Sequence, residues 1–95
     1  MEQTIMFNKY IVIGMDTCAP CKQVQNILAV QDIEYEYVDM FKDDNLEVIS
    51  KLLSETNVMA MKTVPQIFGC MDGTPTYIGG FTDFQKHMRE AYENR

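Results

Sequence analysis

The chain reads as a small α/β fold: one sheet with helices on both faces, in the order β-α-β-α-β-β-α. Three observations predict it. The continuous apolar run Tyr10-Ile11-Val12-Ile13-Gly14 has the composition of a strand buried on both faces. It is followed by apolar residues at helical spacing and then by a partly alternating stretch. That pattern suits a β-α-β unit whose strands are parallel and whose crossover is right-handed. Further on, turn residues separate two short strand-like runs, which marks a hairpin.

The elements follow in order. Residues 1–8 read as a short lead-in and Lys9 to Gly14 as the first strand. Pro20 to Asp32 is predicted helical, with Val24, Ile27, Leu28 and Gln31 on one stripe. Pro20 suits a first turn, where its missing N–H would have had no partner. Glu34 to Met40 is the second strand, carrying Tyr35, Tyr37 and Val38. Asp44 and Glu47 have capping-box spacing, so a helix should run to about Thr56 with Leu46, Ile49, Leu52 and Leu53 inward. Gln66 to Cys70 and Thr76 to Ile78 are the third and fourth strands, joined by Met71-Asp72-Gly73-Thr74-Pro75. Thr82 and Gln85 form a second capping-box pair, opening a helix to about Glu93 with Phe84, Met88, Ala91 and Tyr92 inward.

Composition narrows the function. Ninety-five residues, 46% of them hydrophobic, suit a single small domain spanning 1–95 with its own core. Eight Lys and Arg against fourteen Asp and Glu give a net charge of −6. That disfavours a nucleic-acid binder, which needs a basic stripe, and docking on an anionic membrane. It favours protein partners with basic patches. The first residues lack the pattern of a secretory signal. Three cysteines do not suit a secreted disulfide framework, so a reducing cytoplasm is the expected compartment.

Cys18-Ala19-Pro20-Cys21 lies where the first strand gives way to the first helix. A helix N-terminus carries roughly half a positive charge and unpaired N–H groups. Both favour thiolate, the nucleophilic form of cysteine. A second thiol three residues on lies about one turn away and can displace whatever the first has captured. The alternatives are a zinc half-site and two buried core thiols. Zinc needs two more ligands, and only Cys70 and His87 remain, at unrelated spacing. Cys18, at the junction and with the greater solvent access, is the expected attacker, and Cys21 the resolver. Lys22 would support the thiolate and Asp16 oppose it.

Two further stretches stand out. In Thr63-Val64-Pro65 the local sequence favours an ordinary trans strand-start proline. A cis Val64–Pro65 bond would instead turn the Val64 backbone towards an extended peptide. Gly79-Gly80-Phe81-Thr82-Asp83 reads either as a capped helix start or as an anion site with an added carboxylate. The second form suits a ligand carrying both an amine and a carboxylate.

Taken together, the C-x-x-C after the first strand, Thr63-Val64-Pro65-Gln66-Ile67-Phe68 and Ile78-Gly79-Gly80-Phe81-Thr82-Asp83 resemble the glutaredoxin family of the thioredoxin superfamily. The likeness runs from about Lys9 onward. It implies a thioredoxin-like fold, a four-stranded mixed sheet flanked by three helices, and a cis Pro65. It implies a dithiol–disulfide oxidoreductase, with Cys18 and Cys21 catalytic and glutathione as co-substrate across Val64, Thr82 and Asp83. Thr63, Pro65 and Gly80 border that groove, and Lys62 would meet the glycyl carboxylate of glutathione. Phe68 and Phe84 belong to the core. Ala19-Pro20 replaces the family's usual Pro-Tyr, and a Pro before the second Cys is how thioredoxin writes its motif. The implied partners are glutathione, disulfide-containing proteins, ribonucleotide reductase and a flavoprotein reductase, met by a monomer in the cytoplasm (a host's, if the chain is phage-encoded). No metal is expected. A glutathione-dependent iron–sulfur cluster carrier is the alternative. Cys70 reads as a structural thiol, and His87 as a surface or boundary residue without a role.

Overall fold

The computed structural model describes residues 6–59 and 63–93. Strand β1 (Lys9–Gly14) leads into helix α1 (Ala19–Val30), β2 (Tyr35–Asp39) and a 3₁₀ turn at Asp43–Asn45. Helix α2 (Leu46–Glu55) follows, then β3 (Gln66–Met71), β4 (Thr74–Gly79), α3 (Phe81–Met88) and a π-helical turn at Arg89–Glu93. The sheet order is β2-β1-β3-β4. The β1–β2 pair is parallel, and β3 pairs antiparallel with both β1 and β4. This is the mixed four-stranded sheet with three helices that the sequence predicts.

An inner strand has two faces to bury, which is why β1 is apolar throughout. Tyr10 and Val12 join Ile67, Val24 and Leu28 of α1, and Phe84 and Met88 of α3 in one cluster. Ile13 turns the other way, with Val38, Phe68, and Ile49 and Leu52 of α2. Helices α1 and α3 therefore cover one face and α2 the other. Phe68 and Phe84 are both fully buried, as core residues should be.

Several local expectations need correction. Gln31 is exposed because α1 ends at Val30, and Asp32 then takes a positive φ of 58° that turns the chain. Leu46 is 57% exposed, because a 3₁₀ turn precedes α2 and places it at the helix edge. The Asp44/Glu47 capping box does not form: Asn45 caps α2 in helical conformation without a side-chain bond, and its Nδ2 donates to the Asp39 carbonyl instead. Nor does Thr82 cap α3, since the extended residue before that helix is Gly80. The lead-in is less detached than expected. Phe7 lies so close to Gly69 that a Cβ there would strike its ring. Asn8 donates its N–H to the Cys70 carbonyl and accepts from the Asp72 N–H.

The hairpin turn is tighter than the five residues expected. Met71 pairs with Thr74, leaving only Asp72 and Gly73 between the strands, at φ of 53° and 85°. Two positive φ values in a two-residue loop match the strand twist, and glycine takes the second at no steric cost. Towards the other end of the hairpin, Phe68 pairs with Tyr77 and Ile67 with Gly79, so Ile78 is the extra residue of a β-bulge. The bulge re-aims β4 just before it delivers Gly79 and Gly80 to α3.

Candidate functional site

The two cysteines of the C-x-x-C stretch are joined as a disulfide, with Cα atoms 5.3 Å apart. Cys18 is the N-cap of α1, in extended conformation. Its Sγ accepts a hydrogen bond from the Cys21 backbone N–H at 3.1 Å, and its carbonyl accepts from the Lys22 N–H. The sulfur thus takes the place of a capping oxygen, on one of the donors a helix start leaves unpaired. In the reduced protein that donor and the helix dipole would both favour a charged sulfur.

Burial distinguishes the two sulfurs, though less than the sequence suggests. Cys18 is 6% exposed and Cys21 fully buried. Of the two, Cys18 alone keeps some exposure. Lys22 and Asp16 are both exposed. Among the described residues the ion pair present is Lys9–Glu36, so Lys22 holds no carboxylate there.

A groove of about 440 Å³ is lined by Thr63, Gln66, Tyr77, Gly80, Phe81, Thr82 and Asp83; Cys18, Cys21, Val64 and Pro65 are not among its lining residues. Four of the lining residues, Thr63, Gly80, Thr82 and Asp83, are among the site residues expected from the sequence. Val64–Pro65 is cis, against the local expectation and in line with the family resemblance. The carbonyl of Pro65 lies 3.6 Å from where a Gly80 Cβ would stand, so the proline turn and the start of α3 are in contact. With glycine at its cap, α3 has no side chain to satisfy its first N–H groups, which leaves them for solvent or a ligand. Lys62 lies outside the described residues.

Sequence reasoning missed several contributors. Gly14 and Gly79 hold space for the site: a Cβ at Gly14 would stand 2.7 Å from Cys21 Sγ, and one at Gly79 2.7 Å from Asp83 Cβ. Gly79 also has φ +132°, a conformation that side chains resist. Gln66 and Tyr77 wall the groove and bond to one another, a pairing that depends on strand register. His87 is 8% exposed rather than superficial, and its Nε2 lies 2.7 Å from the Tyr10 hydroxyl. Burial pushes its pKa below the ordinary value, and Glu90 opposes that weakly. Cys70 is half-buried and unpaired, with burial pushing its thiol pKa up, which suits a structural thiol.

The glutaredoxin family model matches residues 5–73 of the sequence, through the cysteine pair and the proline turn. The chain belongs to the glutaredoxin family. Thiol–disulfide exchange is the family's chemistry, and the protein is a thiol–disulfide oxidoreductase. Among curated protein sequences, none matches the chain. Among solved structures, the fold is similar to glutaredoxin 1 from Francisella tularensis, crystallised with cacodylate. The TM-score is 0.59 at 20% identity, covering 82% of this chain and 88% of the other. At that identity the likeness speaks for the fold. The family match stops at Gly73, so the case for Gly80, Thr82 and Asp83 in this glutaredoxin rests on the groove itself. No helix is long and apolar enough to cross a membrane, and no cluster of three metal-ligating side chains occurs, both among the described residues.

Proposed function

We propose that this glutaredoxin reduces protein disulfides and glutathione mixed disulfides through Cys18 and Cys21, with glutathione held along the groove from Thr63 to Asp83. The observation that carries the reading is Cys18 Sγ in the capping position of α1, on the Cys21 N–H. The Cys18 thiolate attacks one sulfur of the substrate disulfide. That S–S bond breaks, one substrate thiolate leaves and takes up a proton, and the other sulfur remains bonded to Cys18. Cys21, deprotonated, then attacks Cys18 Sγ. The second substrate thiolate leaves, and two electrons have passed to the substrate. Two molecules of glutathione return the protein disulfide to the dithiol and leave as glutathione disulfide.

Asp83 and Thr82, at the start of α3, suit the amine and carboxylate of the γ-glutamyl end. The Val64 backbone, next to the cis Pro65, suits the extended peptide. Lys22 and Lys62 are the candidate cations for the glycyl carboxylate and the thiolate. The net charge of −6 favours clients with basic surface near their disulfides, in the cytoplasm. Ribonucleotide reductase is the client that the resemblance suggests. An iron–sulfur carrier is the alternative, disfavoured by Pro20, which restricts the loop between the two cysteines.

Turnover of a glutathionylated peptide, coupled to glutathione reductase, tests the reading. Cys18→Ser should abolish it, while Cys21→Ser should retain turnover of the mixed disulfide. Full activity in Cys18→Ser would remove the proposal. Running the same protein with thioredoxin reductase and NADPH decides which reductant recycles it.

A further inference from the structure

Gln66 is the first residue of β3 and only 6% exposed, an unusual place for an amide. Burying an amide is costly unless its polar atoms are satisfied. Here both ends are. Its Oε1 accepts from the Tyr77 hydroxyl. Its Nε2 donates to the Thr63 carbonyl at 2.8 Å and approaches Thr63 Oγ1 at 3.4 Å. A line of hydrogen bonds therefore runs from β4 through the start of β3 to the residue before the Val64–Pro65 turn. All three of its members line the groove.

The anchor of this line is set by the core. The Tyr77 ring packs on Phe68, centroids 5.4 Å apart, and Phe68 is fully buried. Tyr77 reaches that place because it pairs directly with Phe68 across the hairpin, one residue before the bulge. Its phenol stays protonated at neutral pH, since burial and the Asp83 charge both raise its pKa, so it acts as the donor. Without that hydroxyl, Gln66 Oε1 would be a buried acceptor lacking a partner, and the amide would have to turn to find one. Turning the amide releases Thr63.

We propose that Tyr77 is a positioning residue for glutathione: acting through Gln66, its hydroxyl fixes Thr63 and so the groove wall beside the Val64 backbone. The inference rests on the groove holding glutathione, as proposed above. Tyr77 acts through Gln66 and not on the ligand, so the two side chains form one functional unit.

The experiment compares a peptide disulfide-linked to glutathione with the same peptide linked to cysteine. It uses the wild-type protein, Tyr77→Phe, Gln66→Met and the double variant, with KM, kcat and Tm for each. The wild type should favour the glutathionylated peptide. Tyr77→Phe, which loses one oxygen atom, should raise KM for that peptide about 3- to 10-fold, as for one lost hydrogen bond, with kcat held. Gln66→Met should do the same, and the double variant should be no worse than either single variant. A wild type that does not discriminate overturns the groove reading, and this inference with it. A discriminating wild type whose Tyr77→Phe variant keeps its KM overturns this inference alone, even if Tm falls. Additive losses in the double variant also overturn it, since they would mean that Tyr77 touches the ligand directly.

Discussion

Gly14 leaves the space that Cys21 Sγ occupies: a Cβ on Gly14 would stand 2.7 Å from that sulfur and 3.1 Å from the Tyr37 ring. Neither neighbour can yield easily. Cys21 is fully buried, and Tyr37 pairs with Val12 in the β1–β2 register. The last residue of β1 is thus constrained by the Cys21 sulfur. Gly14→Ala should destabilise the protein by about 1–3 kcal/mol, the usual cost of overpacking. Urea unfolding of the oxidised and reduced forms checks this. A change below about 0.5 kcal/mol, the range of neutral surface substitutions, would mean that the space is not tight.

Gly79 does for Asp83 what Gly14 does for Cys21, with the added demand of a positive φ. Gly79→Ala should cost about 1–3 kcal/mol in backbone strain and also displace the Asp83 side chain. Stability and KM for glutathione should therefore worsen together. Lost stability with an intact KM would separate Asp83 from the binding site.

Asp83→Asn keeps the shape of the groove and removes its carboxylate charge. A charge-assisted hydrogen bond contributes about 1.5–3 kcal/mol, so KM for glutathione should rise roughly tenfold or more. The rise should shrink in high salt as the wild-type interaction is screened. An unchanged KM would place the amine of the ligand elsewhere.

The fold was largely legible in the sequence because its signals are local. An apolar run of β1's length and composition has few other uses, and Val24 and Leu28 of α1 fall at helical spacing on a stripe that is indeed buried. What was not legible depends on partners distant in sequence. Both capping-box spacings were present, yet a cap works only where its first residue is extended. That residue is Gly80 in one case, and in the other a 3₁₀ turn leaves Asn45 helical. Of the site, the cysteine pair could be read from its spacing, whereas the cis Pro65 followed only from the family resemblance, the local sequence favouring trans. The Tyr77–Gln66–Thr63 line could not, since it needs the hairpin register and its bulge. His87 looked superficial because its partner, Tyr10, is 77 residues away.

His87 gives the protein a pH dependence in its core. Its pKa in the fold is lowered from 6.5, chiefly by burial, so the unfolded chain takes up the proton more readily. Stability should be fully present above about pH 6.5 and fall as the pH drops below that value, towards the lower folded pKa. The charged groups Asp83 and Lys86 of α3 and Glu90 of the following turn line the same pocket as His87, while Tyr10 and Phe7 face it from the sheet side. Urea unfolding at pH 5 and pH 8 of wild type and His87→Phe checks this. The wild type should lose more stability at the acid end than the variant.

Tyr10→Phe removes the hydroxyl that meets both His87 Nε2 and, at 3.4 Å, the Tyr92 hydroxyl. It would leave His87 Nε2 short of its partner at 2.7 Å, at a cost of about 1–3 kcal/mol for a buried unsatisfied group. The redox site should be unaffected in its alkylation rate, because the hydrogen bonds and ring contacts of Tyr10 are with Phe7, Phe84, His87 and Tyr92 and none is with the disulfide. Denaturation and thiol labelling of the same samples test both halves.

The pH profile of iodoacetamide alkylation in reduced Cys21→Ser tests most directly whether the α1 cap holds Cys18 as a thiolate. That variant keeps the backbone N–H at position 21, and its reactive sulfur is Cys18, with Cys70 followed separately by mass spectrometry. The rate should titrate with a midpoint below the ordinary thiol value of about 8.5. A midpoint at or above about 8.5 would contradict the account, because Cys18 would then be an ordinary thiol that happens to lie at a helix end.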